Sequence, residues 1–221
     1  GYGANAYSYN PATSFDGQYV AFQSYATDLT ADTDSGNDSD VFIRNTQADT
    51  TTRIMAYGGQ EPDDALTDPA IAGDGSAVAF ESNATNLMAT NNPGSSYLNI
   101  FVYDTASGTI ELISRSNDVG GYGYGVNSNC DHPAISYGGR YVTFSSTATN
   151  LIAGDIGGQQ QIFVYDRTSG ETYLASAIDG GAAYGNNYSY DPDISPDGRY
   201  VAFRSYADNL TAIDDSGGSG N

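Results

Sequence analysis

One hairpin-sized phrase recurs along this chain and limits what it can fold into. Its fullest copy reads Asp191-Pro192-Asp193-Ile194-Ser195-Pro196-Asp197-Gly198-Arg199-Tyr200-Val201-Ala202-Phe203-Arg204-Ser205, and earlier copies begin at Asn10, Asp68 and His132. The phenylalanines that close the four copies, Phe22, Phe80, Phe144 and Phe203, are 58, 64 and 59 residues apart. A period of this kind is incompatible with a single irregular core. Each unit is a supersecondary element that buries its apolar face against its neighbour, as propeller blades or the units of another stacked array do.

Within a copy, Asp-Gly or Gly-Gly takes the positive φ of a tight turn, and the aromatic, β-branched run Tyr-Val-Ala-Phe pairs back on the Pro-x-Ile-Ser segment as a β-hairpin. A second strand signal follows each hairpin: Asp40-Val41-Phe42-Ile43-Arg44, Asn99-Ile100-Phe101-Val102-Tyr103-Asp104 and Gln161-Ile162-Phe163-Val164-Tyr165-Asp166. These runs are apolar without alternation, which predicts strands covered on both faces. Turns at Thr105–Gly108 and Arg167–Gly170 lead to fourth strands expected over 109–114 and 171–176, with 51–56 as the counterpart in the first unit. The expected class is all-β: a β-propeller of four-stranded antiparallel blades, forming one array over 1–221. Blades fall near 10–56, 68–114 and 132–176, with half of a fourth over 191–221. The amino end, Tyr2 to Tyr9, is similar to the inter-blade connector 184–190, and the fourth unit stops where its third strand would begin. That predicts either a longer chain or a partner that supplies the missing strands by assembling through the incomplete fourth blade.

These phrases resemble the TolB-like, WD-type bacterial β-propeller repeat family. Its blades carry a Pro-x-hydrophobic-Ser-x-Asp-Gly-x-hydrophobic-hydrophobic-Ala-Phe hairpin and a later hydrophobic-Phe-Val-x-Asp strand. The match covers nearly the whole chain, is closest at Ile194–Phe203, and departs from the pattern in the first unit, where Thr13 and Phe15 replace the usual apolar and small residues. The resemblance implies a fold and leaves function open, because such propellers serve as binding platforms, as subdomains of peptidases and as lyases.

Composition narrows the setting. The chain has a formal net charge of −20, with 27 acidic residues against 7 basic ones, all of them arginine. A surface of that sign repels nucleic acid and anionic membranes and suits extracellular or salty surroundings. No run approaches the ~20 apolar residues of a membrane span. A secreted, cell-surface or periplasmic protein is expected, one that binds a protein or glycan partner without catalysis. The alternatives are the propeller of a polysaccharide lyase or peptidase, or a structural subunit of a surface filament. Cys130 is the single cysteine. With His132 two residues on, it would share one face of a strand, with no third group to orient a base.

Three sets of residues are candidates for function. In the first loop, Asp32, Asp34, Asp38 and Asp40 flank Gly36 and offer the clustered oxygens that Ca²⁺ takes; Asp155 and Asp215 are weaker counterparts in later units. In a second set, Asn10, Asp68, His132 and Asp191 hold the same place before the blade proline and form a column expected near a central channel. Family lyases that use a metal bring several histidines there, and this column has one. Third, the connectors carry Tyr122, Tyr124, Tyr184 and Tyr188, whose amphipathic rings stack on sugars, anchor protein partners or cover blade seams.

Overall fold

Each recurring phrase folds as the hairpin that its turn chemistry dictates. The computed structural model describes residues 3–36, 38–90, 93, 96–117, 125–154, 156–179, 181 and 183–211. The first unit comprises β1 (Ser8–Thr13), β2 (Tyr19–Ser24), β3 (Asp40–Asn45) and β4 (Thr50–Arg53). The second holds β5 (Leu66–Ile71), β6 (Ala77–Ser82), β7 (Asn99–Asp104) and β8 (Ile110–Leu112), and the third β9 (Cys130–Ile135), β10 (Tyr141–Ser146), β11 (Gln161–Asp166) and β12 (Glu171–Leu174). Within the described residues the fourth unit contributes β13 (Ser189–Ile194) and β14 (Val201–Ser205). Every sheet follows chain order, with antiparallel neighbours, giving three four-stranded sheets and one two-stranded sheet among the described residues.

The turns show why these residues are needed. Gly17, Gly75, Gly139 and Gly198 close the hairpins at φ between 68° and 75°, where a side chain is strained. The hydroxyls of Ser14, Ser136 and Ser195 accept the backbone N–H of Tyr19, Tyr141 and Tyr200 across the turn. In each complete sheet a phenylalanine of the second strand meets one of the third: Phe22 with Phe42, Phe80 with Phe101 and Phe144 with Phe163, at centroid distances of 5.7 to 5.8 Å. Burial of each such ring contributes about 1.5–3 kcal/mol. The third strands are covered on both faces, as their unbroken apolar runs predict. The fourth strands are shorter than expected, because the chain leaves the ladder after one further bond, from the N–H of Ile54, Ile113 or Ala175 to Val41, Ile100 or Ile162.

Neighbouring sheets are joined at three levels. Their first strands lie side by side, β1 with β5, β5 with β9 and β9 with β13, so these strands form the inner wall of the array. At the hairpin turns, Phe15 N–H donates to Gly73 O, Asp74 N–H to Tyr137 O and Tyr137 N–H to Pro196 O, a backbone chain that runs from unit to unit. A tyrosine of one unit also lies flat on the turn glycine of the next: a Cβ on Gly75 would meet the Tyr19 ring at 2.4 Å, and one on Gly198 would meet Tyr141 at 2.1 Å. The second unit has Ala77 in that place. Arg167 reaches in to fill the gap, donating to Gly139 O and to Glu111.

The opposite, open ends of the hairpins are fixed by a repeated clamp. Asn5, Asp63, Asn127 and Asn186 each accept the backbone N–H of Thr27, Thr85, Thr149 or Asp208. The loop leucines that follow behave as anchors, with Leu87 and Leu151 buried and Leu29 and Leu210 half-buried.

Candidate functional site

The column residues occupy a special backbone position. Asn10, Asp68, His132 and Asp191 stand at φ of 50°, 49°, 56° and 51°, each where the ladder between the first and second strands slips. They are β-bulges, and Asn, Asp and His enter the left-handed region more readily than other side chains. Local backbone geometry thus accounts for the residue types in the column. The structure does bring neighbours together, since Asn10 Nδ2 lies 3.4 Å from Asp68 Oδ1. Among the described residues, however, no three His, Cys, Asp or Glu side chains gather as a metal cage.

The same bulge separates Cys130 from His132. Regular alternation would put the two on one face, yet Cys130 is buried and His132 is exposed, because the bulge turns the chain between them. Burial pushes the Cys130 thiol up to about 12, so it stays protonated and donates to Ser146 Oγ. It is a core residue, with neither the exposure nor the thiolate that nucleophilic catalysis requires.

The bulge aims the N–H groups of Asp68 and His132 at the preceding sheet. Gln23 Oε1 lies 3.4 Å from the N–H of Asp68, while Glu81 Oε1 accepts the N–H of His132 at 2.7 Å. Glu81 is the group that sequence reasoning missed. It is buried between two sheets, and that burial, reinforced by Asp68 and Asp131 and opposed by the His132 N–H, raises its carboxyl to about 7. The signal was present in the aligned phrases: the residue after the strand-two phenylalanine is Gln23, Glu81, Ser145 or Arg204, and one of the four is a carboxylic acid.

In the first loop, Asp34 and Asp40 converge on a guanidinium. Arg53 is fully buried and lies 3.5 Å from Asp34, 3.1 Å from Asp40 and 3.1 Å from Glu61. Asp32 and Asp38 remain at the surface. The three aligned units explain the arrangement. Asn99 and Gln161, at the place of Asp40, accept hydroxyl bonds from Ser114 and Ser176. The first unit has Met55 in place of that serine, and Arg53 in place of Leu112 and Leu174. Burial raises the Asp40 carboxyl to about 6 despite Arg53, with Asp34 pushing the same way. Asp155 and Asp215 lie outside the described residues.

Tyr184 packs against the core at the third seam, and its hydroxyl lies 2.7 Å from where a Cβ of Gly157 would stand. Tyr188 is exposed. Tyr122 and Tyr124 lie outside the described residues.

A cavity of about 330 Å³ opens on the inner wall at the turn end of the hairpins, and all four units line it. Ala12, Ala70, Ile71, Ala134, Ile135 and Ile194 form an apolar floor, with Asp193 also on the lining. The turn position before Asp-Gly or Gly-Gly is Phe15, Gly73, Tyr137 or Pro196 in the successive units. Gly73 has no side chain there, so the rings of Phe15 and Tyr137, two units apart, meet above it at 5.5 Å; a Cβ on Gly73 would stand 2.5 Å from Tyr137. Phe15 is 69 % exposed and Tyr137 46 % exposed, giving the cavity a rim of aromatic surface.

This architecture is shared with solved β-propellers. TolB from Acinetobacter baumannii superposes with a TM-score of 0.51 at 17 % identity, over 90 % of this chain and 37 % of its own. An oligogalacturonate lyase from Vibrio parahaemolyticus gives 0.52 at 9 % identity, over 93 % of this chain and 49 % of its own. The propeller domain of the trilobed protease from Pyrococcus furiosus gives 0.45 at 18 % identity, over 76 % and 41 % of the two chains. TolB and the lyase thus share the β-propeller fold with this chain, which spans less than half the length of each of the three proteins. No protein-family model matches the sequence, and neither does any curated protein. Among the described residues no helix is long and apolar enough to cross a membrane.

Proposed function

We propose that the chain is a non-catalytic, extracytoplasmic propeller module that captures an apolar segment of a protein partner at the aromatic-rimmed cavity on its inner wall. The observation that carries this reading is the exposed Phe15–Tyr137 pair over an apolar floor drawn from four units. Large exposed rings beside an apolar depression are the surface on which binding energy concentrates. Phe15 also stands where the second and fourth units carry glycine and proline, so the hairpin turn does not require a ring there. The strongly acidic, lysine-free surface supports work outside the cytoplasm and disfavours nucleic acid. Calcium has no part in this reading, since the two inward carboxylates of the first loop are engaged by Arg53.

Selection of phage-displayed peptides against the protein, with Phe15→Ser/Tyr137→Ser as the counter-target, tests the proposal. Enriched peptides are expected to carry apolar anchors and to bind the double variant about ten-fold or more weakly, the loss of one to two kcal/mol that such rings supply. Absence of enrichment, or equal binding to the variant, overturns it.

A further inference from the structure

The first and fourth units share a second aromatic arrangement, at the end of the hairpin away from the cavity. In unit one Tyr7 and Tyr9 lead into and begin β1 and Tyr25 follows β2; the matching residues in unit four are Tyr188, Tyr190 and Tyr206. The backbone N–H of Tyr25 donates to Tyr7 O, and that of Tyr206 to Tyr188 O. Rings are adjacent in both: Tyr9 and Tyr25 are 6.0 Å apart, Tyr188 stacks on Tyr190 at 6.0 Å, and Tyr206 meets Tyr190 edge-on at 6.0 Å.

Folding does not require aromatic residues at these positions. The second unit carries Ala65, Thr67 and Asn83 there, and the third Asn129, Asp131 and Thr147, in the same ladder register. In the first unit the rings stay exposed beside a packed neighbour, and the fourth unit repeats their register. Unit one has the next unit packed beside it and Tyr25 is still 43 % exposed; unit four has the preceding unit beside it and Tyr188 is 45 % exposed.

The local charge selects the ligand. In unit four Arg204 covers Tyr190 at 5.3 Å and pairs with Asp191 at 3.1 Å, so the position that a ligand cation would take on this ring is already filled and neutralised by the protein. Unit one has Gln23 at the place of Arg204, facing Asn10 and Tyr9. Neither platform thus offers a free cation beside its rings: unit one presents the Asn10 and Gln23 amides and unit four a paired Arg204, on a protein of net charge −20 that repels polyanions. An uncharged ligand with flat C–H faces and peripheral hydroxyls fits both. We infer that the Tyr7–Tyr9–Tyr25 and Tyr188–Tyr190–Tyr206 clusters are two binding platforms for a neutral polysaccharide, independent of the cavity at the opposite hairpin end.

Native affinity electrophoresis tests this, in gels cast with dextran, mannan, xyloglucan or hydroxyethylcellulose, with polygalacturonate as the anionic comparison. The protein is expected to be retarded by at least one neutral polysaccharide. Tyr9→Thr/Tyr25→Asn and Tyr190→Thr/Tyr206→Asn import residues that the second unit already uses, so both fold. Each is expected to weaken retardation, and the combined variant to lower the affinity about ten-fold or more. Phe15→Ser/Tyr137→Ser is expected to be retarded like the wild type. Migration unaffected by every neutral polysaccharide, retardation of the combined variant equal to wild type, or retardation by polygalacturonate alone each overturns the inference. None of these outcomes touches peptide capture at the cavity, and a Phe15→Ser/Tyr137→Ser variant that loses retardation would overturn the separation of the two sites.

Discussion

Replacing Glu81 with glutamine should make this protein more stable at neutral and alkaline pH, by an amount that disappears in acid. In the folded state Glu81 is buried between sheets, and its carboxyl is raised from 4.5 to about 7. A folded value above the unfolded one means that the native protein holds a proton between about pH 4.5 and pH 7 that the unfolded chain has released. Stability therefore declines as pH rises through that window and carries the full penalty above it. The gap corresponds to about 3 kcal/mol, at ~1.4 kcal/mol for each pH unit. Glutamine keeps the acceptor for the His132 N–H and removes the charge, as Gln23 does for Asp68 one unit earlier. Urea unfolding at pH 4, 6 and 8 is expected to show Glu81→Gln ahead of wild type by about 1–3 kcal/mol at pH 8, with the curves converging toward pH 4. A variant no more stable at pH 8, or one with the same advantage at pH 4, would refute the reasoning.

Two further outcomes follow from the packing. Arg53→Leu strands Asp34 and Asp40 without a counter-charge and should cost about 3–5 kcal/mol in thermal or urea unfolding. The quadruple change Asp34→Asn/Asp40→Asn/Arg53→Leu/Met55→Ser, which installs the second unit's solution and removes the neighbouring charge, should recover most of that loss, and millimolar calcium should leave the wild-type melting temperature in place. Gly17→Ala and Gly75→Ala share nearly the same φ, but a Cβ meets nothing within 4 Å at Gly17 and the Tyr19 ring at 2.4 Å at Gly75. Unfolding of the first variant should show only the left-handed penalty of about 1–2 kcal/mol, and the second an added overpacking cost of about 1–3 kcal/mol.

The hairpins and third strands were legible in the sequence because their signals are local: a turn glycine, a paired aromatic run, an apolar stretch without alternation. The order of strands within a sheet followed from chain order, with no crossover to resolve. What the sequence hid was side-chain direction at irregular places. The column of Asn10, Asp68, His132 and Asp191 is visible by alignment, yet its left-handed bulge is not, and that bulge is what separates Cys130 from His132 and aims the His132 N–H at Glu81. The aspartates of the first loop are visible as clustered oxygens, but the guanidinium that gathers Asp34 and Asp40 is not, because it comes from Arg53, on the far side of the sheet's third strand. Phe15 stood out only as a departure from the repeat; its meeting with Tyr137 needed the bare Gly73 between them.

The exchange of Tyr for Ala77 gives the array an uneven mechanics. Two of its turn-end seams are shut by a rigid ring on a glycine, contacts that salt does not loosen. The one between the second and third units is shut by Arg167 on Glu111, both in partial contact with solvent. Charge pairs of that kind weaken as ionic strength shortens the reach of the field, to about 8 Å at physiological salt and about 3 Å at 1 M. The turn end of the array thus has two stiff joints and one ionic latch, and a rise in salt loosens that latch while the apolar core shared by the second and third units stays packed.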